Sequence, residues 1–375
     1  MSAEATSPDA LPDGAPSPDL FRSVFAVYEV RDGGDGRVEY VGDPLVPRGE
    51  VVEAVRPAFD EEGYDVSLDH QQGQFVLVAT ERDAGFPWSN LALLIATVGT
   101  TLYAGAGWYY VQDVFSPAIL TAAPFSLAVL LVLGTHELGH YVMSRYHDVD
   151  ATLPYFIPML PPFGTWGAVI RMRGQIPDRE ALFDIGAAGP VAGLVMAVAV
   201  SAVGLWLPPV RVPAWVFTAE SAVGLDLGYP PLLRAIAWVM GERLTYASSR
   251  LVTNPVVLGG WIGMFVTFLN LLPVGQLDGG HILRALVGDR QPRVASVVPV
   301  ALFGLAGGLY LTRGQVTTIG LWITWGVLTA VVAYAGPATP ADDRPLGRKR
   351  KVAAALIYLA GLACFTPLPI RFVAA

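Results

Sequence analysis

Residues 118–140 read AILTAAPFSLAVLLVLGTHELGH: no charge from Ala118 to Gly134, then His136, Glu137 and His140 within little more than one helical turn. An apolar run of this kind is what a helix needs to cross ~30 Å of hydrocarbon. An ionisable group held there costs roughly 2.5 kcal/mol or more and has to be matched by a partner. Positions i and i+4 share a helix face, so both imidazoles can ligate one metal ion. Glu137 then lies beside the open coordination position, as a base for the water there. The plain alternative is a pair of histidines bonded to backbone carbonyls with Glu137 as counter-ion, which leaves three polar groups to satisfy inside lipid. Five histidines and twelve glutamates in 375 residues give about 0.002 matches to His-Glu-x-x-His by chance.

A mean hydropathy of +0.48, with 53% hydrophobic and 15% charged residues, places the chain among polytopic membrane proteins. Its charge is uneven. Residues 1–86 hold 18 acidic against 6 basic residues, and the remainder holds 14 against 18. An acidic soluble part therefore precedes a mildly basic membrane part, and nucleic acid is not an expected partner. Lys349 and Lys351 are the only lysines; acidity with so little lysine suits a salt-rich cytoplasm such as that of a halophilic archaeon. The single cysteine, Cys364, excludes an internal disulfide and a thiolate metal cluster. Met1 to Pro18 is polar and acidic, so no secretory signal is expected there.

Residues 1–20, with four prolines and no apolar periodicity, read as a disordered tail. Residues 21–85 read as a small α/β domain. Val24–Val30 and Val38–Val41 flank the turn-forming Asp32 to Gly36. Glu50–Glu62 has helical spacing, and Tyr64–Leu68 and Phe75–Ala79 form a second hairpin across Gln72-Gly73. The order is β-β-α-β-β. Residues 86–375 read as the membrane domain, with spans at roughly 88–107, 117–144, 182–207, 255–273, 294–312, 318–335 and 352–370, and an interfacial helix around Leu232–Arg243. The fold class is therefore a polytopic α-helical membrane protein with about six or seven transmembrane helices and a small N-terminal α/β soluble domain. Segments 145–180, 284–293 and 341–351 carry four, three and five Lys+Arg, whereas 108–116 carries none. Positive-inside logic puts those three basic segments, the N-terminal domain and the histidine pair toward the cytoplasm.

Two histidines leave a tetrahedral ion short of a protein ligand, since catalytic zinc takes three plus water. Asp278, in the stretch from Asn270 to His281, is the only carboxylate between Glu242 and Asp289, and it follows a span that runs toward the same leaflet. Gly279 and Gly280 would let backbone approach the ion closely. A simple Asp-Gly-Gly turn is the alternative. His281 is read as a partner outside the ligand shell. Glu180, Glu220 and Glu242, the carboxylates a heat-shock-type membrane protease would need as ligands, lack a matching helical context.

His136-Glu137-Leu138-Gly139-His140, joined to Asn270-Leu271-Leu272-Pro273 and Leu277-Asp278-Gly279-Gly280, resembles the site-2 protease family of intramembrane zinc metalloproteases. Gly189 to Gly193 is similar to that family's small-residue helix. Gly164–Ile170 followed by Pro177-Asp178-Arg179 resembles the branch with archaeal and chloroplast members. The resemblance implies a catalytic core at about 117–282, one zinc ion held by His136, His140 and Asp278, and Glu137 as catalytic base. It also implies that Asn270 helps to hold substrate backbone, and that the partners are transmembrane protein substrates within membrane lipid. The alternative function is a non-enzymatic membrane metal-binding protein or transporter, which would carry further intramembrane carboxylates or histidines; Asp184 alone comes near that description.

An intact substrate helix hides its carbonyls in i→i−4 bonds and must unwind before cleavage. Thr165 to Met172, with β-branched Val169 and Ile170, is expected to form a re-entrant strand that pairs with the unwound substrate. Thr165, Gly167 and Val169 are the candidate contacts, and a surface hairpin is the alternative. Gly189 and Gly193, at i and i+4, read as a close-packing face.

Overall fold

The computed structural model describes residues 5–6, 14–34, 36–71, 73–81, 86–173, 176–217, 223–313, 316–336 and 338–374. Most of the tail expected over 1–20 falls outside them, as do Asp35 and Gln72 in the two expected turns, residues 82–85 at the expected domain boundary, and Glu220. The chain separates into two compact units, one built mainly from residues up to Phe86 and one from Pro87 onward.

The first unit is an antiparallel sheet with one helix. Its elements are β1 (Ala5–Thr6), β2 (Phe25–Gly34), β3 (Arg37–Pro44), α1 (Arg48–Glu61), β4 (Tyr64–Gln71) and β5 (Gln74–Glu81), in the sheet order β1-β2-β3-β5-β4. The alternation of β-branched and aromatic residues with polar ones turns one sheet face inward, and Val51, Val55 and Phe59 of α1 are fully buried. Phe21, Tyr40 and Phe59 meet at the centre, with ring centroids 4.9 to 5.6 Å apart. The Tyr40 hydroxyl donates to the Pro16 carbonyl at 2.7 Å, so its buried polar end is satisfied.

The second unit is helical: α2 (Trp88–Trp108), α3 (Ala123–Tyr146), the hairpin strands β6 (Tyr155–Pro158) and β7 (Thr165–Val169), α4 (Arg179–Trp206), β8 (Val223–Leu227), α5 (Pro231–Met240), α6 (Val256–Asn270), α7 (Asp278–Val287), α8 (Gln291–Ala295), α9 (Val297–Arg313), α10 (Val316–Ala335), α11 (Arg348–Ala363) and β9 (Ile370–Ala374). Among the described residues, three helices are long and apolar enough to cross a membrane: Trp88–Trp108, Pro117–Tyr146 and Arg179–Trp206. A fourth arises if Asp278–Ala295 and Val297–Thr312, bent by 49°, form one span. Val256–Asn270, Pro231–Met240 and Ile319–Ala335 are shorter apolar helices.

Central to this unit is α4, which packs against α3, α6 and α7. Small residues let the backbones close: a Cβ at Gly260 on α6 would stand 2.8 Å from the Ala197 carbonyl of α4. The fifteen residues of α6 rise only about 22 Å and stop at Asn270, short of the 255–273 that apolarity alone suggests. Leu271 to Leu277 then folds back in tight turns, with Leu272 N–H bonded to Leu269 O and Leu277 N–H to Val274 O. Irregular backbone at membrane depth survives only where protein covers it, and Leu271, Leu272 and Val274 are buried.

Candidate metal centre

His136 and His140 lie on one face of α3 and are buried, 3% and 6% exposed. Across from them, the Ile185 carbonyl of α4 is 2.8 Å from His140 Nδ1. A proton on Nδ1 donated to that carbonyl leaves the Nε2 lone pair bare and turned inward, the arrangement that orients a ligating histidine. The two Nε2 atoms are 3.2 Å apart. Asp278 completes the group from the first residue of α7: Oδ2 is 3.2 Å from His136 Nε2 and Oδ1 is 3.2 Å from His140 Nε2.

These donor atoms all lie within 4.8 Å of one another. His140 Nε2 and the carboxylate face each other as acceptors, and Asp278 Oδ2 is buried without a hydrogen bond. Converging lone pairs repel unless a cation lies among them. With bonds of 2.0–2.1 Å, the edges of a tetrahedron are about 3.3 Å, which matches the 3.2 Å separations. The residues present therefore fit a small divalent ion with nitrogen and oxygen ligands.

Glycines make the convergence possible. On α4, a Cβ at Gly189 would clash with Nε2 of His140, and one at Gly193 would stand 2.9 Å from Cβ and Nδ1 of His136. The Gly189/Gly193 face, read from sequence as a packing device, is thus the floor beneath both rings. Beside Asp278, a Cβ at Gly279 would meet the Leu271 carbonyl and stand 2.7 Å from the Leu272 carbonyl. The Asp-Gly-Gly sequence is what allows the loop from Asn270 to fold against the start of α7.

Glu137, next to His136 on α3, is buried, 7% exposed. The Asn270 side-chain amide is 3.2 Å from His136 Nε2, at the rim of the donor group. Thr165 is buried in the β6–β7 hairpin, where its hydroxyl donates to Ile157 O at 2.8 Å and accepts from Gly167 N–H at 3.0 Å. Gly167 has φ 114°, a backbone conformation suited to glycine, and Val169 is exposed. Among the described residues, β7 pairs with a strand on one side only, Tyr155 opposite Val169 and Ile157 opposite Gly167.

His281 is buried one turn past Asp278 against Gly186 of α4, outside the donor group. Glu180 is committed to Arg350 at 2.6 Å, and Glu242 is exposed, so neither joins the donors. Residues that sequence reading did not single out are Ile185, whose contribution is a backbone carbonyl without a side-chain signature, and Tyr358, whose hydroxyl donates to Gly279 O at 2.6 Å. Asp184 was legible as a carboxylate at a span's start. Its partners, Arg350 at 2.8 and 2.9 Å and His147 at 3.1 Å, are brought to it by the fold.

Residues 124–306 match the model of peptidase family M50. The chain is 31% identical over 265 residues to the probable zinc metalloprotease EGY1, chloroplastic, of Oryza sativa subsp. japonica, covering 68% of this chain and 42% of that protein. Its Arabidopsis thaliana counterpart is 30% identical over 274 residues, covering 69% and 45%. The probable zinc metallopeptidase EGY3, chloroplastic, of Arabidopsis thaliana is 27% identical over 385 residues, covering 92% and 63%. The chain thus spans under half the length of the two EGY1 relatives. No solved structure matches the chain.

Proposed function

Since this chain belongs to peptidase family M50, we propose that it is an intramembrane zinc metalloprotease that hydrolyses peptide bonds within or near transmembrane helices of substrate proteins. The observation that carries this reading is the convergence of His136 Nε2, His140 Nε2 and the Asp278 carboxylate from two separate helices, inside a strongly apolar unit. His136, His140 and Asp278 hold one zinc ion per chain. Bound there, zinc supplies Lewis-acid polarisation and acidifies water.

The protein's own groups do the rest. Glu137, on the helix that carries both histidines, accepts the proton of the attacking water and returns it to the departing amine. Asn270, whose side-chain amide is 3.2 Å from His136 Nε2, binds substrate backbone near the scissile bond. The single-sided strand Thr165–Val169 receives an unwound substrate segment by β-addition. Gly167 keeps one stretch of that edge clear of side chain, the exposed Val169 meets the substrate, and Thr165 braces the hairpin through its internal hydrogen bonds.

In the membrane, the shorter apolar helices complete six or seven crossings around the catalytic core of residues 117–282. A small α/β domain at 21–85 and the zinc centre face the cytoplasm. The Lys+Arg-rich segments around 145–180, 284–293 and 341–351 support that orientation. The partners are transmembrane protein substrates and membrane lipid.

The test is cleavage of model transmembrane-helix substrates by the purified full chain and its Glu137→Gln variant in detergent. The variant is expected to retain metal and lose cleavage. Undiminished cleavage by the variant overturns the assignment.

A further inference from the structure

Asp278 opens α7 directly after an irregular segment. The residues leading to it, Leu271 to Leu277, form turns rather than helix, so no continuous helix carries the ligand from α6. Yet a ligating atom must be placed to within about 0.2 Å. A hold from outside the loop adds to the loop's own packing.

That hold comes from α11, beyond the stretch matched by the family model, which ends at residue 306. The Tyr358 hydroxyl of α11 donates to the carbonyl of Gly279, the residue directly after Asp278, at 2.6 Å. One turn further on, Gly361 lets α11 close on the loop: a Cβ there would stand 2.6 Å from Leu271 Cδ1. At its other end α11 is fixed to the histidine side of the centre. Arg350 grips Asp184 with two hydrogen bonds of 2.8 and 2.9 Å and reaches Glu180 at 2.6 Å. Asp184 immediately precedes Ile185, whose carbonyl orients His140. Just before α11, Asp343 takes two bonds from Arg179 at the start of α4, at 2.6 and 2.7 Å, and lies 3.2 Å from Arg284 of α7. One helix thus touches the backbone beside Asp278 and the residue beside the His140 anchor.

We propose that Tyr358 is a positioning residue for the Asp278 ligand, and that α11 braces the two ligand-bearing segments against each other. This inference rests on the metal centre read under the proposed function. A side chain that orients a ligand without touching the ion typically changes metal affinity 10- to 100-fold when removed; acting through the neighbouring carbonyl, Tyr358 falls at the lower end.

The experiment measures zinc affinity of the purified full chain by chelator competition, together with the visible spectrum of the cobalt(II)-loaded protein, which reports ligand geometry. Tyr358→Phe removes only the hydroxyl and is expected to weaken zinc binding about tenfold and to change the cobalt spectrum. Arg350→Lys, which gives up the two-pronged grip on Asp184, is expected to act in the same direction and keeps the proposal testable if Tyr358→Phe folds poorly. Thr329→Val is the control. It deletes a buried hydroxyl whose bonds, to Trp325 O and Gly326 O, stay within α10, and it is expected to leave affinity and spectrum unchanged. Tyr358→Phe binding zinc within twofold of wild type, with an unaltered spectrum, overturns this inference alone. A wild-type protein that takes up no divalent metal overturns the metal centre, and this inference with it.

Discussion

Replacing Gly189 by alanine sets two physical effects against each other. By helix propensity the change is favourable, since glycine in a helix interior costs about 0.8–1.0 kcal/mol relative to alanine. Sterically it is prohibitive. The added Cβ would clash with Nε2 and Cδ2 of His140 and lie 2.6 Å from its Cε1. Non-bonded heavy atoms settle at about 3.5 Å or more, so the ring must withdraw by more than about 1 Å, or α3 and α4 must separate. A ligand atom tolerates only about 0.2 Å. One of three protein ligands is then lost, and zinc affinity is expected to fall by more than about 100-fold, beyond the range for residues that merely support a ligand. The assay is chelator competition on the detergent-purified full chain, beside Gly304→Ala, whose Cβ would meet nothing within 4 Å. The control is expected to bind zinc as wild type does. Wild-type affinity in Gly189→Ala would refute the claim that this glycine exists to admit the imidazole.

Two further outcomes concern other parts of the chain. Phe59→Ala empties the centre of the Phe21–Tyr40–Phe59 cluster and is expected to destabilise the first unit by about 3–5 kcal/mol. It should appear as faster hydrogen exchange across residues 25–81, and unchanged protection there would refute it. Hydrogen bonds from Arg179 hold the Asp343 carboxyl below its ordinary value of 3.8. A depressed folded-state value means the stabilisation is complete above 3.8 and is lost as the pH falls through the lower folded value. The thermal-stability gap between wild type and Asp343→Asn is therefore expected to be open at pH 6 and to narrow below pH 3.8; a gap that stays constant into acid contradicts it.

Much of the centre could be read along the chain because its logic is local. His136 and His140 are four residues apart on one apolar helix, and that spacing alone puts their rings on one face. The β-β-α-β-β order of the first unit follows from alternation, helical spacing and turn residues in the same local way, and its four main strands run three to four residues longer than propensity suggests because the ladder continues toward the turns. The end of α6 was not legible. Leu271, Leu272 and Pro273 are as apolar as the helix before them, and hydropathy reports composition rather than backbone angles. Nor was the role of Gly189 and Gly193. Their spacing marks a smooth face, but which neighbour fills it depends on how α4 is rotated about its axis.

The order of residues by itself determined the histidine-bearing apolar helix, the Asp-Gly-Gly turn and the two-part division of charge, because each depends on contacts or composition within a few residues. Only the folded chain decided that Asp278 meets both imidazoles, that Ile185 lends its carbonyl to His140, and that Tyr358 reaches Gly279 from 79 residues away. Those meetings depend on helix rotation and depth, which are fixed by the packing of α3, α4, α6, α7 and α11 together and by no one segment of them.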